Sequence, residues 1–250
     1  MRILAIDTAT ESCSAALVLE GRALSRERLL EREHATYILQ MVDELLADAG
    51  IALANLSAIA FGRGPGAFTG VRLAACVTQG LAYGAGIPVV PISDLRAIAE
   101  RALEDASLAR VLVCTDARMR EVYWGCFERG TDGHAVAAGE EQVGPPGEVA
   151  LPQRWHDRAQ GQAAEGSALG APAPPAGRIG AAGSGFAAHP ELRTGAASRA
   201  TTILETLRPH AREVAILAGI EVAAGRLLPP EQALPLYLRD EVVRRRPSGH

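Results

Sequence analysis

The chain has 250 residues, 48% of them apolar and 22% charged, with a formal net charge of −4. That apolar fraction excludes wholesale disorder, and the acidic balance excludes a nucleic-acid binder that works by bulk charge. All 25 basic residues are arginine, which excludes a P-loop lysine, a Schiff-base lysine and a lysine general base.

The opening apolar run, residues 2–7, ends in a carboxylate and reads as a buried strand. Residues 14–20 and 23–29 flank Gly21 and read as a hairpin after it. From His34 the period changes: Tyr37, Ile38, Met41, Val42, Leu45 and Leu46 recur at three- and four-residue spacing, a helix that Gly50 ends. A strand over 56–61, a glycine loop over 62–66 and a second helix over 69–83 follow, with Thr69 as the expected N-cap. A strand over 88–92 and a helix over 94–103 complete this half. The pattern then restarts: strands over 111–116, 121–127 and 134–143, the first again ending in an aspartate. Residues 144–178 are rich in Pro, Gly and Ala, and a mobile loop is expected after Arg154. A strand over 178–182 and helices over 201–207 and 210–224 close the reading.

Two similar halves of mixed α/β structure are therefore expected. The N-terminal lobe spans 1–105 and is joined by a C-terminal helix over about 209–225. The C-terminal lobe spans 106–208 with its loop over about 153–178, and 226–250 form a tail. No apolar run reaches membrane length and no secretion signal opens the chain, so a cytoplasmic protein is expected. Cys13, Cys76, Cys114 and Cys126 form no Cys-x-x-Cys pair and are expected as reduced thiols.

Gly62-Arg-Gly-Pro-Gly-Ala-Phe-Thr-Gly-Val-Arg72 is the most specific string. Glycines at a helix start leave backbone N–H groups that can hold an anion, so Gly64 and Gly66 are candidates for a nucleotide or phosphate. The competing reading is a tight turn that lets the helix pack closely. Asp7 with Thr8 has the chemistry to hold a hydrated magnesium ion and its phosphate; it can equally close a hairpin turn. Asp116 with Arg118, Arg120 and Glu121 reads as a charged hairpin or a polar site. His34 has Ile38 four residues on, so that helix offers no His-x-x-x-His face, and no metal site is expected. No Gly-x-Ser-x-Gly elbow occurs. The run Arg244-Arg245-Arg246 reads as a solvated end. The first helix has a wide apolar face and the second carries small residues at Ala74, Ala75, Thr78 and Ala82. Together these form either a partner surface or the chain's own core.

Residues 3–10 (Ile-Leu-Ala-Ile-Asp-Thr-Ala-Thr), 64–72, 116–123 (Asp-Ala-Arg-Met-Arg-Glu-Val-Tyr) and 235–239 (Pro-Leu-Tyr-Leu-Arg) together resemble the TsaB, or YeaZ, family. The match runs through most of the chain, departing where Ala67 replaces a usual serine and where the loop near 153–178 is lengthened. The resemblance implies an actin-like (ASKHA) fold of two similar lobes, each a mixed sheet flanked by helices. It further implies a non-catalytic role in forming N6-threonylcarbamoyladenosine at position 37 of tRNAs that read codons starting with A. It implies a heterodimer with the transferase TsaD, a ternary complex with the ATPase TsaE, a homodimer when alone, and tRNA reached only through the complex. TsaD holds a metal through a His-x-x-x-His helix whose second position is here Ile38. No cofactor is then required, with weak ATP or ADP binding left open at Asp7, Thr8, Gly64 and Gly66. The family pairs through its first two helices, so the partner-facing candidates are His34, Ile38, Met41, Val42, Leu45, Thr69, Val71, Arg72, Ala75 and Thr78. A charge at Val42 or Ala75 is expected to break the pairing and leave the chain folded. An actin-like phosphotransferase or ATPase using Asp7 is the alternative; a metalloprotease lacks ligand spacing.

Overall fold

The computed structural model describes residues 1–105, 107–157 and 177–239. Most of the expected loop over 153–178, the three arginines at 244–246 and His250 lie outside the described residues.

Arg2–Asp7 (β1), Ser12–Leu19 (β2), Arg22–Leu29 (β3), Ala58–Gly62 (β4) and Val89–Ile92 (β5) form one sheet in the order β3-β2-β1-β4-β5. The first three strands meander antiparallel, while β1, β4 and β5 run parallel. The second sheet is built from Leu108–Arg118 (β6), Glu121–Arg129 (β7), Ala135–Ala137 (β8), Gln142–Gly144 (β9), Arg178–Ala182 (β10) and Thr202–Leu204 (β11). Its order, β11-β10-β6-β7-β8 with β9 also on β7, repeats the moves of the first.

Each sheet is covered on both faces, which is why β1 is apolar throughout Ile3–Ile6 instead of alternating. His34–Ala49 (α1) and Phe68–Ala85 (α2) cover the outer face of the first sheet. Ile38, Met41, Val42 and Leu45 lie 3% exposed or less there, against Leu4, Ile6, Ile59 and Phe61. Each such side chain contributes about 1.5–3 kcal/mol on burial. The other face takes Ala211–Ala223 (α7), whose Val214, Ala215, Leu217 and Ala218 return to Ile3, Ala5, Ala60 and Val90. Asp94–Ala102 (α3) turns Leu95, Ile98 and Ala99 to Val111, Val113 and Phe127 of the second sheet. Arg96 of α3 pairs with Glu221 of α7 at 2.8 Å, so two helices lie between the sheets and are tied to each other. Among the described residues the helices on the far face of the second sheet are the short Gln153–Asp157 (α4), Gly185–Ala188 (α5) and Glu191–Thr194 (α6), which bring Trp155, Phe186 and Leu192 to Cys114 and Trp124.

Three local expectations change. Residues 201–207 contain β11, parallel to β10, and not a helix, because the neighbouring strand supplies their backbone partners. The single strand expected over 134–143 is two short ones, both paired with β7. Thr69 lies inside α2; the N-cap is Ala67, without a side-chain hydrogen bond. Ser93 does cap α3, its hydroxyl accepting the Arg96 N–H at 3.1 Å.

The C-terminal residues form a strap. Leu228 bridges antiparallel to Val89, the Leu236 N–H reaches the Arg63 carbonyl at 2.7 Å, and Arg239 donates to the Ala117 carbonyl at 3.3 Å and to the Glu121 carboxylate. The strap thus runs from the edge of the first sheet to the β6–β7 hairpin of the second.

Candidate functional site

Three parallel strand ends define the first candidate. β1 ends in Asp7, β4 ends in Gly62, and β5 is followed by Ser93 and Asp94 at the start of α3. β4 lies between the other two, and its terminal residue has no side chain. The Asp7 and Asp94 carboxylates meet through that gap: a Cβ on Gly62 would collide with both Asp7 Oδ2 and Asp94 Oδ1. Both aspartates are at most 1% exposed. Asp7 Oδ1 accepts the Ala9 N–H at 3.0 Å, and Asp94 Oδ2 accepts the Gly64 N–H. The facing oxygens meet no N–H or O–H donor elsewhere among the described residues. Burial raises the pKa of Asp7, and burial together with the Asp7 charge raises that of Asp94 well above its ordinary value.

The glycine loop serves packing. Its Gly64 N–H is taken by Asp94, and its Gly64 carbonyl receives the Asp94 N–H at 3.1 Å. Gly66 and Gly70 rest against the backbone of Ala9 and Thr8, and the Thr8 hydroxyl donates to the Gly70 carbonyl at 2.6 Å. Asp7, Thr8 and Gly64 are therefore closed into the fold, with Gly66 half-buried beside them. Asp94 was not among the residues singled out from sequence. The signal that could have found it is the ending of three parallel strands in Asp, Gly and Ser-Asp.

The partner-facing candidates divide differently from the expectation. Ile38, Met41, Val42, Leu45, Val71, Ala75 and Thr78 are in the chain's own core, because α1 and α2 turn their apolar faces to the sheet. His34 is half-buried, its Nε2 on the Thr10 carbonyl at 2.9 Å. Thr69 and Arg72 are exposed. The outward strip of α2 is Arg72, Cys76, Gly80 and Gly84, at four-residue spacing, with Tyr83 beside it at 74% exposure. Among the described residues, a Cβ at Gly80 or Gly84 would meet nothing within 4 Å. Leu39, 48% exposed, is the large apolar residue on the outside of α1. Arg72 stacks on Phe68 with its guanidinium 3.5 Å from the ring centroid, and its Nε donates to the Tyr237 hydroxyl at 2.6 Å.

In the second lobe, Asp116 is half-buried and accepts from the Arg118 N–H at 2.8 Å, with the Arg118 guanidinium at 3.1 Å: a charged hairpin. Three of the cysteines are buried and one is exposed, all as free thiols; burial pushes Cys13 up to about 11 and Cys126 up to about 12. Among the described residues, no three His, Cys, Asp or Glu side chains gather as a metal site, and no helix is long and apolar enough to cross a membrane.

Known proteins are similar to this chain in sequence and fold. The family model for TsaD, tRNA N6-adenosine threonylcarbamoyltransferase, matches residues 26–245. The tRNA threonylcarbamoyladenosine biosynthesis protein TsaB of Escherichia coli is 38% identical over 251 aligned residues, covering 100% of this chain and 99% of that protein. The chain belongs to the TsaB family. The TsaB of Haemophilus influenzae is 36% identical, covering 100% and 98%. The solved structure of YeaZ from Pseudomonas aeruginosa superposes with a TM-score of 0.81 at 43% identity, covering 95% of this chain and 99% of that one. The duplicated strand order is thus the TsaB fold, and in this chain the motif at 3–10 supplies Asp7 of the strand-end cluster, that at 64–72 most of the glycine loop and the start of α2, and that at 235–239 the end of the strap.

Proposed function

We propose that this chain acts in tRNA threonylcarbamoyladenosine biosynthesis as the non-catalytic subunit of a transferase complex, docking a TsaD-type enzyme on the outer faces of α1 and α2. The observation that carries this reading is the bare strip along α2. A glycine inside an exposed helix costs about 1 kcal/mol against alanine, and α2 keeps two on its outer strip, at Gly80 and Gly84, where no described residue lies within 4 Å of a Cβ built there. Such notches let a second helix approach closely, Tyr83 supplies exposed aromatic area beside them, and Leu39 adds exposed apolar area on the outside of α1. Docking of standard size, roughly 1,600 Å² in total, then stabilises the enzyme in its active arrangement. The same strip supports self-association in the enzyme's absence, and TsaE and tRNA join through the assembled pair. His34 is held by Thr10, with Ile38 in the core where a second ligand would be needed, which supports a role without metal chemistry here. Nucleotide binding at Asp7, Thr8, Gly64 and Gly66 has less support, since those groups already hold one another.

The test is light scattering behind size-exclusion chromatography on this chain mixed with TsaD from the same organism. An equimolar complex is expected, lost in Gly80→Glu while the circular dichroism of that variant stays native. Undiminished binding by Gly80→Glu would refute the docking face. No association, with or without ATP and TsaE, would refute the scaffold role.

A further inference from the structure

We propose that Asp7 and Asp94 hold one proton between Asp7 Oδ2 and Asp94 Oδ1, and that this proton latches the 62–66 loop and the root of α2 to the strand ends. The argument is one of charge in a closed space. Two carboxylates out of water, facing each other through the space Gly62 leaves, cannot both be ionised without a compensating cation or donor between them. Among the described residues no N–H, O–H or cationic side chain reaches that gap: the charged and titratable neighbours are His34 at the start of α1, His210 at the N-cap of α7, the Cys13 thiol on β2, and Glu141 on the Asp94 side. The histidines bias the pair, since their fields favour charge on Asp7, while Glu141 disfavours charge on Asp94. Asp94 is therefore the acid that donates and Asp7 the carboxylate that accepts, held from behind by the Ala9 N–H. The second oxygen of Asp94 grips the Gly64 N–H, so the proton fixes the loop from which α2 starts.

The sign of the pH dependence follows. Both groups are raised on folding, so the folded chain keeps a proton that the unfolded chain releases above the ordinary carboxylate range. The shared proton is held between the pH at which Asp7 takes up a second proton and the pH at which Asp94 gives up the shared one, and its stabilisation falls as pH rises through that upper, raised value.

Asparagine distinguishes this from a merely structural pair. In Asp94→Asn the amide oxygen still accepts from Gly64 while its NH₂ donates permanently to Asp7; Asp7→Asn is the mirror arrangement. Melting temperatures of the full chain would be compared from about pH 6 to about pH 9. The native chain is expected to lose several degrees more than either variant over that span. Native and variant curves that run parallel would overturn the proposal. Infrared spectra of chain labelled with ¹³C-aspartate supply a reading that needs no variant to fold. A protonated-carboxyl band at neutral pH is expected, and its absence would overturn the proposal. Neither measurement involves TsaD, so its failure is separate from failure of the docking role.

Discussion

The two lobes run the same course of strands, yet they spend it differently. Each first strand approaches its hairpin through an aspartate. Asp7 is sealed in and paired with Asp94, whereas Asp116 is half-buried and answers its own turn through Arg118. Each sheet also has an outer face, but the first is roofed by helices of 16 and 18 residues and the second, among the described residues, by helices of four or five. Long helices can be bound by their backs; short ones are used up in covering the sheet. A repeated topology thus leaves long helix backs exposed in one half, where docking is proposed, and among the described residues only short covering helices in the other.

The largest effect is expected where this contrast is deepest. Val42→Asp places a charge under the α1 roof and should cost on the order of 4–5 kcal/mol, read as collapse of the melting temperature. This reverses the expectation from sequence that a charge there spares the fold. Gly62→Ala pushes a methyl between Asp7 and Asp94 and should cost about 1–3 kcal/mol in urea unfolding. Acid titration should isolate the tie between α3 and α7. Hydrogen bonds from Arg226 and Arg96 outweigh burial and lower the Glu221 pKa, so the stability it contributes is present above the ordinary carboxylate range and lost as pH falls through its lowered value. Glu221→Gln should flatten that acid limb. Arg239→Ala removes the strap's bonds to Glu121 and Ala117, with an expected cost of about 1 kcal/mol and faster amide exchange at Leu236.

Much of this was legible in the chain. β1 and α1 declare themselves because an apolar run and a three-four period are local signals, and the repeat shows because the first strand of each half carries an aspartate toward its end. β11 did not declare itself: Thr202–Leu204 is too short to show a period, and what makes it a strand is β10 beside it, some twenty residues away in sequence. The apolar face of α1 was visible, but whether a sheet or a partner covers it depends on how the helix is turned. The pairing of Asp7 with Asp94 was hidden for a related reason. It needs three strand ends brought level, and the residue that permits it, Gly62, contributes only empty space.

The return of α7 carries a further consequence, for synthesis. Ile3, Ala5, Ala58, Ala60 and Val90 stay uncovered until residues as late as Leu217 and Ala218 arrive from the far side of the second lobe. A nascent chain therefore leaves the ribosome with the back of its first sheet bare, although all five strands of that sheet precede residue 93. Domains that form during translation do so from the N-terminus onward. Here the first to emerge is among the last to be finished, and a premature stop before Ala211 would leave a product with an apolar face open to aggregation.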